Sequence, residues 1–198
     1  MEIIAFSGKL GSGKDYVAQQ FIQELNKIDP KNTLFLGLAD QLKINLAVDY
    51  PNYEDEFFGL KNRTEFSRTI MQQTGQAGQD LFDDLIWVRL LFATMRLYNT
   101  RGVKRFVVTD VRYKQELTYF LSHGAKVFRI IAEDRTTNKV LAETQTPEGL
   151  SAITHHKSEI DLDDVPLNAF TGVIDNSVVN QDNLMSVIRS LITHELVV

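Results

Sequence analysis

A glycine-rich turn near the start of the chain constrains the fold more than any other feature of the sequence. The turn reads Gly8-Lys9-Leu10-Gly11-Ser12-Gly13-Lys14-Asp15. It follows an apolar run, opens a segment with helical periodicity, and matches the Walker A pattern G-x-x-x-x-G-K-[ST] except at Asp15. The backbone amides of such a loop form a nest for phosphate at the positive end of a helix, and the lysine adds a point charge. Residues 8–15 are therefore predicted to bind the phosphates of a nucleotide, with Lys14 at the transferring group.

Two carboxylates are candidate ligands for Mg²⁺ beside these phosphates. Asp15 replaces the hydroxyl residue that ordinarily ligates the metal at the end of the loop, and Asp110 follows the apolar run Phe106–Thr109. Mg²⁺ prefers oxygen ligands and keeps several waters, so either carboxylate would hold it directly or through water. Asp15 also suits the first turn of a helix electrostatically, and Asp110 also suits a contact with substrate or a turn at a strand end. The sequence leaves both alternatives open.

Short apolar runs alternate with helix-length segments along the chain. The predicted strands are Ile3–Phe6, Thr33–Leu38, Arg105–Thr109, Lys126–Ile131 and, more weakly, Gly172–Ile174. The predicted helices are Lys14–Ile28, Asp40–Val48, Arg63–Gln73, Asp80–Asn99, Lys114–His123 and Asn180–His194. This order predicts the α/β class, with a mainly parallel sheet flanked by helices. Together with the Walker A turn, it indicates a three-layer sandwich of P-loop NTPase type. We expect one domain over residues 1–198, a small lid over roughly residues 133–157, and a central core helix over residues 80–99, which is apolar on most faces.

Composition excludes several classes of protein. The chain has 198 residues, no cysteine and a formal net charge of −5, so disulfide frameworks, thiolate metal sites and cysteine nucleophiles are excluded. A net negative charge gives no general attraction to nucleic acid or to anionic membranes. The N-terminal sequence MEIIAFSG has no basic region ahead of a long apolar stretch, and charges interrupt the apolar segment 81–97. We expect a cytoplasmic protein whose partners are small-molecule nucleotides, without nucleic acid or membrane.

Polar side chains that suit a second phosphorylated ligand follow the second predicted strand. Asp40 and Lys43 come just after it, and Arg68 and Gln72 lie four residues apart, on one face of a predicted helix. Together with Arg112, these groups suit a second phosphate and the edge of a base. For any one of them, the plainer alternative is a solvated charge on a helix surface.

Two further pairs of residues are candidates for the nucleoside parts of the ligands. Asp80 and Trp87 would enclose the base or sugar of the acceptor, although core packing is the commoner role of a tryptophan. Asp175 and Asn176 follow the last predicted strand and suit the adenine or ribose end of the donor nucleotide. A turn before the last helix is an equal alternative for this second pair.

The order of the motifs resembles that of the phage-type deoxynucleoside monophosphate kinases. The matching segments are Phe6–Lys9 with Lys14 and Asp15, Ala39–Lys43, Arg68 with Gln72 and Gly75, Thr109–Arg112, His156–Glu159 and Val173–Asn176. The resemblance implies transfer of the γ-phosphate of ATP to a deoxynucleoside 5'-monophosphate, dependence on Mg²⁺, often a homodimer, and the host cytoplasm where a phage encodes the enzyme. Animal-type phosphomevalonate kinase is similar in several of the same segments and is the alternative. Dephospho-coenzyme A kinase is a weaker third.

Phosphoryl transfer needs positioning and charge neutralisation more than a covalent nucleophile, so the cations of the chain are assigned to phosphates. Lys43, Arg68 and Arg112 are expected to steer the acceptor phosphate. Arg129 and Arg135, near the expected lid, would close over the transferring group and exclude water.

Two assignments complete the expectations from sequence. Ser158 and Glu159 match a segment of the family, which implies that Glu159 contacts the substrate; the local alternative is a helix cap with an acid in the first turn. A function of another class also stays open, namely a nucleotide-binding switch or motor ATPase that uses hydrolysis for conformational work.

Overall fold

A computed structural model describes residues 1–132, 157–177 and 180–196, without the side chain of Ser158. The strands are β1 (Glu2–Ser7), β2 (Thr33–Leu36), β3 (Arg105–Val111), β4 (Lys126–Ile131) and β5 (Gly172–Asp175). The helices are α1 (Lys14–Ile28), α2 (Asp40–Asp49), α3 (Glu54–Phe57), α4 (Glu65–Leu81), α5 (Ile86–Thr100), α6 (Lys114–Ser122), α7 (Lys157–Ile160) and α8 (Gln181–Glu195). Arg135 and the expected lid, apart from Lys157, lie outside the described residues.

The five strands form one sheet in the order β2-β3-β1-β4-β5. The central strand β1 pairs in parallel with β3 and β4, and β4 pairs in parallel with β5. Because parallel strands present their carboxyl ends at one edge of a sheet, the segments that follow β1, β3 and β5 begin at the same edge. The predicted α/β class, with a mainly parallel sheet flanked by helices, is confirmed.

The chain divides into two compact units, one of residues 1–35 with 102–198 and the other of residues 36–101. The core of the first unit is built on an aromatic cluster between the sheet and α1. The Phe21 ring lies 5.5 Å from that of Phe6 and 4.8 Å from that of Phe128, between ring centroids. All three side chains are fully buried. This packing fixes α1 against the strands at the point where the glycine-rich turn joins them.

The second unit contains α2 to α5. Its core consists of the buried side chains of Leu42, Leu46 and Phe57, with Trp87 packed against them. Among the described residues, no helix is long and apolar enough to cross a membrane.

The expectation of a central core helix over residues 80–99 is wrong. Leu81 ends α4, and α5 begins only at Ile86. The Asp83 carboxylate accepts a hydrogen bond of 2.8 Å from the Leu85 amide, and such a turn of side chain onto backbone separates the two helices. Helix α5 buries only one stripe of side chains, while Leu81 and Phe82 are 78% and 71% exposed.

The boundaries of α4 also differ from the prediction of residues 63–73. The helix begins at Glu65 because the Thr64 hydroxyl caps it, accepting a hydrogen bond of 3.3 Å from the Ser67 amide. It continues through Gly75 and Gly78 to Leu81. Both glycines lie inside the helix and contact Trp87. Gly78 leaves space for the Trp87 ring, and the Gly75 carbonyl accepts a hydrogen bond of 3.0 Å from Trp87 Nε1.

Candidate phosphate-binding site

The glycine-rich turn has the backbone conformation that its sequence predicts. Gly11 and Gly13 have φ values of 82° and 77°, in the left-handed region that side chains with a Cβ avoid. Gly13 is also the N-cap residue of α1 and has no side chain with which to cap it. The amides of the first turn of α1 therefore lack the side-chain partner that caps ordinarily supply, and this end of the helix suits a phosphate.

The close approach of backbone segments explains the glycine at position 8. A Cβ on Gly8 would lie 2.5 Å from Ser12 Oγ and 3.1 Å from the Ile130 carbonyl oxygen. Ser12 Oγ is buried, and it has no hydrogen-bond partner among the described residues. A buried polar atom without a partner is uncommon, and here it lies in the segment predicted to bind phosphates.

Lys14 and Arg112 converge on one carboxylate. Lys14 Nζ lies 3.8 Å and Arg112 Nη2 lies 3.9 Å from Asp110 Oδ1. Lys14 is buried, whereas the side chains of Arg112 and Asp110 are 25% and 33% exposed. The structure thus brings together three residues that the sequence analysis had assigned to phosphates and metal, at the carboxyl edge of the sheet.

An irregularity in β3 shapes this convergence. Ala5 pairs with Val108, but Ser7 pairs with Val111, so the register between β1 and β3 shifts between these points. Thr109 and Asp110 together lie opposite the single residue Phe6. Such a bulge bends its strand and redirects a side chain, and bulges are common beside active sites.

Glu159 joins the glycine-rich turn to Arg112. Its buried carboxylate accepts a hydrogen bond of 2.7 Å from the Leu10 amide through Oε2 and forms an ion pair with Arg112 Nη1 through Oε1. Glu159 lies in α7, whereas Leu10 belongs to the glycine-rich turn and Arg112 follows β3. The sequence assigned Glu159 to substrate, whereas the structure places its carboxylate on other parts of the site.

Arg129 lies buried at the carboxyl end of β4. Its Nη1 donates a hydrogen bond of 2.8 Å to Ser7 Oγ, and its Nη2 lies 3.6 Å from Asp163 Oδ1. Burial lowers the pKa of the Arg129 guanidinium, and the nearby Asp163 and Glu159 carboxylates oppose that effect. The other Asp163 oxygen accepts a hydrogen bond of 2.7 Å from Lys9 Nζ. Lys9 and Arg129 therefore share one carboxylate beside the turn.

Asn176 and Asp175 take different places at the end of β5. Asn176 is buried, and its Nδ2 donates a hydrogen bond of 2.9 Å to the Ser12 carbonyl. This contact joins the end of β5 to the glycine-rich turn. Asp175 is exposed and accepts a hydrogen bond of 2.8 Å from the Ser177 amide. Their proposed contact with the adenine or ribose of a nucleotide stays a prediction.

A buried glutamate that the sequence analysis missed lies under Arg112. Oε2 of Glu116 accepts hydrogen bonds of 2.8 Å from the Arg112 amide and 3.1 Å from the Tyr113 amide at the start of α6. Burial raises the pKa of the Glu116 carboxyl to about 7, against the lowering effect of these hydrogen bonds. The signal in the sequence was an acid at the third position of a helix, which often reaches back to the cap amide.

Apart from Asp15, which is exposed on α1, and Ser158, whose side chain is not described, the remaining predicted site residues belong to the unit of residues 36–101. Asp40 accepts hydrogen bonds of 2.6 Å from the Gly37 amide and 3.1 Å from Lys43 Nζ, so both side chains take part in the start of α2. Arg68, Gln72 and Asp80 are exposed on α4. Their role in binding an acceptor stays a prediction.

Trp87 lies in the packing between α4 and α5. A Cβ on Gly78 would lie 2.5 Å from its Cζ2 atom. This is the core role that the sequence analysis held to be the commoner one for a tryptophan.

Comparison with known proteins gives one family and several distant likenesses. An uncharacterized protein, ORF76, of Ictalurid herpesvirus 1 (strain Auburn) is 30% identical over 162 residues, which are 82% of this chain and 56% of that protein. The chain thus spans a little over half the length of this relative.

Two solved structures resemble the chain at low identity. A crystal structure of APE1195 is 15% identical, covering 98% of this chain and 96% of that one, with a TM-score of 0.47. Dephospho-CoA kinase from Campylobacter jejuni is 12% identical, covering 97% and 96%, with a TM-score of 0.48. Both are too distant to bear on function.

The sequence profile of phosphomevalonate kinase matches residues 6–126. The matched range runs from the end of β1 through the glycine-rich turn, all of the second unit, β3 and α6 to the start of β4. It is more than half of the chain and includes Lys14, Asp110 and Arg112. The chain therefore belongs to the phosphomevalonate kinase family.

Proposed function

We propose that the protein transfers the γ-phosphate of ATP to the phosphate group of a small monophosphorylated acceptor. The observation that carries this proposal is the convergence of Lys14 Nζ and Arg112 Nη2 within 4 Å of one oxygen of Asp110. One cation belongs to the phosphate-binding turn, and the other lies outside it, on the segment after β3. Two cations from different segments that share one carboxylate suit a reaction that brings two phosphorylated ligands together.

The chemistry of the transfer makes few demands on the protein beyond charge and position. The transition state is loose, and its charge is spread over the oxygens of the moving group. An acceptor phosphate is already anionic, so no strong general base is required. Lys14 would hold the moving group, and Arg112 would draw the acceptor phosphate towards it.

The residues of the turn fit ATP, and two acids fit Mg²⁺. The turn offers for the phosphates the start of α1 and the Ser12 hydroxyl, neither of which has a side-chain partner in the described part of the chain, together with the Lys14 ammonium. Asp15, exposed on α1, and Asp110 would hold the metal; among the described residues, no group of three or more metal-binding side chains exists. Mg²⁺ ordinarily takes one or two carboxylates together with substrate phosphates, so two acids suffice. When bound, the metal neutralises charge on the phosphate oxygens.

A deoxynucleoside 5'-monophosphate is our first candidate for the acceptor. Support comes from the order of the motifs along the chain, which resembles that of the phage-type kinases of these nucleotides. Lys43, Arg68, Gln72 and Asp80 are the side chains that we assign to this ligand. The assignment of Asp40 to the acceptor is weaker, since its two oxygens already accept hydrogen bonds from Gly37 and Lys43.

A phosphorylated mevalonate is the second candidate for the acceptor. It is favoured by a separate observation, the match of residues 6–126 to the phosphomevalonate kinase family. Both candidates end in a phosphate monoester, so the same turn and the same cations would serve either.

A panel of acceptors tests the proposal and separates the candidates. Purified protein is mixed with Mg-ATP and, one at a time, each deoxynucleoside monophosphate, its ribose counterpart and 5-phosphomevalonate. The proposal expects ADP to appear only when an acceptor is present, together with the acceptor's diphosphate. ADP release that no acceptor changes would reject the proposal and favour an ATPase or switch.

A further inference from the structure

The carboxylate of Glu159 lies in the interior of the site, although it comes from a helix of only four residues. Its side chain is 8% exposed. A buried carboxylate is costly unless it is paired and hydrogen-bonded. Glu159 meets both conditions through the Leu10 amide and the Arg112 guanidinium.

The two partners of Glu159 belong to the two halves of the proposed reaction. Leu10 is part of the turn that would hold ATP, and Arg112 is the cation assigned to the acceptor phosphate. They come from segments 149 and 47 residues away in the chain. A single carboxylate therefore links the turn to the arginine.

The geometry of the guanidinium extends this control to Asp110. Glu159 holds Arg112 through Nη1, and Arg112 Nη2 faces Asp110 Oδ1 at 3.9 Å. Because the guanidinium is planar and rigid, fixing one terminal nitrogen orients the other. The Arg112 side chain is 25% exposed, so the oriented group is accessible to a ligand.

A direct contact of Glu159 with substrate is disfavoured by charge. The substrates of the proposed reaction are anions, and a carboxylate beside them would repel them. Both Glu159 oxygens are already engaged by donors of the protein.

We propose that Glu159 is a positioning residue, which aims Arg112 at the acceptor phosphate and fixes the outline of the phosphate-binding turn through the Leu10 amide. This inference rests on the proposed phosphoryl transfer. It replaces the expectation that Glu159 contacts substrate.

Steady-state kinetics of Glu159→Gln, Arg112→Ala and the double variant test the positioning role. Glutamine keeps a carbonyl for the Leu10 amide but loses the charge that holds Arg112. We expect Glu159→Gln to lower kcat/KM for the acceptor by roughly tenfold or more, since a hydrogen bond between charged groups is lost, while the KM for ATP changes less. In the Arg112→Ala background, the same substitution is expected to cause no further loss, because there is no arginine left to aim. Losses that multiply in the double variant would overturn the proposal.

The matched control is Asp164→Asn on the segment that follows α7. Asp164 is exposed and forms an ion pair of 2.7 Å with Lys114 Nζ, a residue to which no phosphate is assigned. It is expected to leave both kinetic parameters unchanged. An equal loss in this variant would show that the effect of Glu159→Gln reflects general damage to the segment, and would contradict the proposal.

Nuclear magnetic resonance separates failure of this inference from failure of the proposed function. The Leu10 amide and the Arg112 guanidinium signals are expected to shift in Glu159→Gln and to stay in place in Asp164→Asn, whether or not any acceptor is phosphorylated. Unshifted signals in Glu159→Gln would overturn the positioning role even in an active enzyme. If Glu159→Gln does not fold, Glu159→Asp takes its place, because it keeps the charge on a shorter side chain. Because the shorter side chain also withdraws from the Leu10 amide, the KM for ATP is expected to rise in both backgrounds, whereas kcat/KM for the acceptor is expected to fall only where Arg112 is present. An equal loss of kcat/KM for the acceptor in both backgrounds would contradict the proposal.

Discussion

Individual acids in this protein hold the cations of the phosphate-binding turn and its surroundings. Lys14 and Arg112 share Asp110, Lys9 and Arg129 share Asp163, and Arg112 also pairs with Glu159. The chain has a net charge of −5, and these pairings hold lysine and arginine side chains in place at the carboxyl edge of the sheet, beside the phosphate-binding turn. The phosphates of a ligand would accept hydrogen bonds from the donors of these cations that remain exposed.

Lys14 is the residue on which the proposed chemistry depends most. Lys14→Ala is expected to lower kcat about a hundredfold or more, because a preorganised charge is removed from the moving phosphate. The fold should persist, since the helix propensity of alanine is high. Steady-state kinetics and circular dichroism check both statements. Lys27→Ala is the control, because Lys27 is 65% exposed at the other end of the same helix; a near-normal kcat in Lys14→Ala would remove Lys14 from this role.

Glu116 makes the stability of the protein depend on pH. Its pKa is raised from an ordinary 4.5 to about 7 in the folded protein. The folded state therefore holds this proton more tightly than the unfolded state. The contribution is fully present below pH 4.5 and is lost as the pH rises to 7. Loss of this contribution lowers the free energy of unfolding by about 3 kcal/mol between pH 4.5 and pH 7.

The variant Glu116→Gln isolates this effect. Glutamine offers a carbonyl to the Arg112 and Tyr113 amides without a titrating proton. Urea unfolding at pH 5 and pH 8 is expected to show a loss of stability in the wild type that the variant lacks. Parallel pH profiles of the two proteins would contradict the account of Glu116.

At the scale of elements, two glycines of α4 offer a matched pair of substitutions. A Cβ on Gly78 would lie 2.5 Å from Trp87 Cζ2, whereas a Cβ on Gly75 would meet only Leu42 Cδ2, at 3.7 Å. We expect Gly75→Ala to stabilise the protein by up to about 1 kcal/mol through helix propensity. Gly78→Ala should destabilise it by about 1–3 kcal/mol, because the Trp87 ring must move.

The single tryptophan of the chain reports on this pair directly. Urea unfolding followed by Trp87 emission gives the stability, and the emission of the folded state gives the ring environment. The spectrum should change in Gly78→Ala only. Equal stability of the two variants would show that the helix packs differently around Trp87.

Sequence reasoning located the strands well and the helix ends less well. The predicted strand over Lys126–Ile131 and the predicted helix over Lys14–Ile28 agree with β4 and α1 residue for residue. The apolar run was sufficient to locate β4, which is buried in the sheet, and the glycine-rich turn was sufficient to locate the start of α1. The boundary between α4 and α5 depends instead on one side chain, Asp83, bonding to a nearby amide, which competes with an apolar periodicity that runs across it.

For the molecule as a whole, the two edges of the sheet have different tasks. The carboxyl edge carries the turn, Asp110 and Arg112, whereas the opposite edge carries Arg105, whose side chain is fully buried. Arg105 donates hydrogen bonds to Glu2 at 2.8 Å and to the Asp29 carboxylate at 3.0 Å. This network ties β3 to β1 and to the end of α1, far along the strands from the proposed chemistry.

Arg105→Met is expected to separate stability from activity. Loss of the buried guanidinium should lower the free energy of unfolding by about 1–3 kcal/mol, because its hydrogen bonds to Glu2, Asn26 and Asp29 are lost, while Lys31 still pairs with both carboxylates. The kcat and both KM values, measured where the protein is fully folded, should stay within twofold of the wild type, roughly the scatter of such assays. A selective rise in the KM for ATP or acceptor would contradict the division of tasks between the two edges.

Only part of the site could be predicted from the sequence, because some of its residues belong to local patterns and others meet only through contacts between distant parts of the chain. Gly8, Lys14 and Asp110 follow from local patterns, a glycine-rich turn and the end of an apolar strand. The contact of Glu159 with Leu10 crosses 149 residues, and that of Asn176 with Ser12 crosses 164. No local pattern indicates such pairs, because they arise only when the sheet brings the ends of β1, β3 and β5 to one edge.

The fate of the γ-phosphate tests the central claim most directly. Protein is incubated with ATP labelled at the γ-phosphate, Mg²⁺ and a panel of phosphate monoesters, and the labelled products are separated. Our account predicts that the label appears on one class of acceptor as a new diphosphate, and that Lys14→Ala slows the formation of this product about a hundredfold or more. Label that appears only as inorganic phosphate, or that stays on ATP with every acceptor, would contradict it.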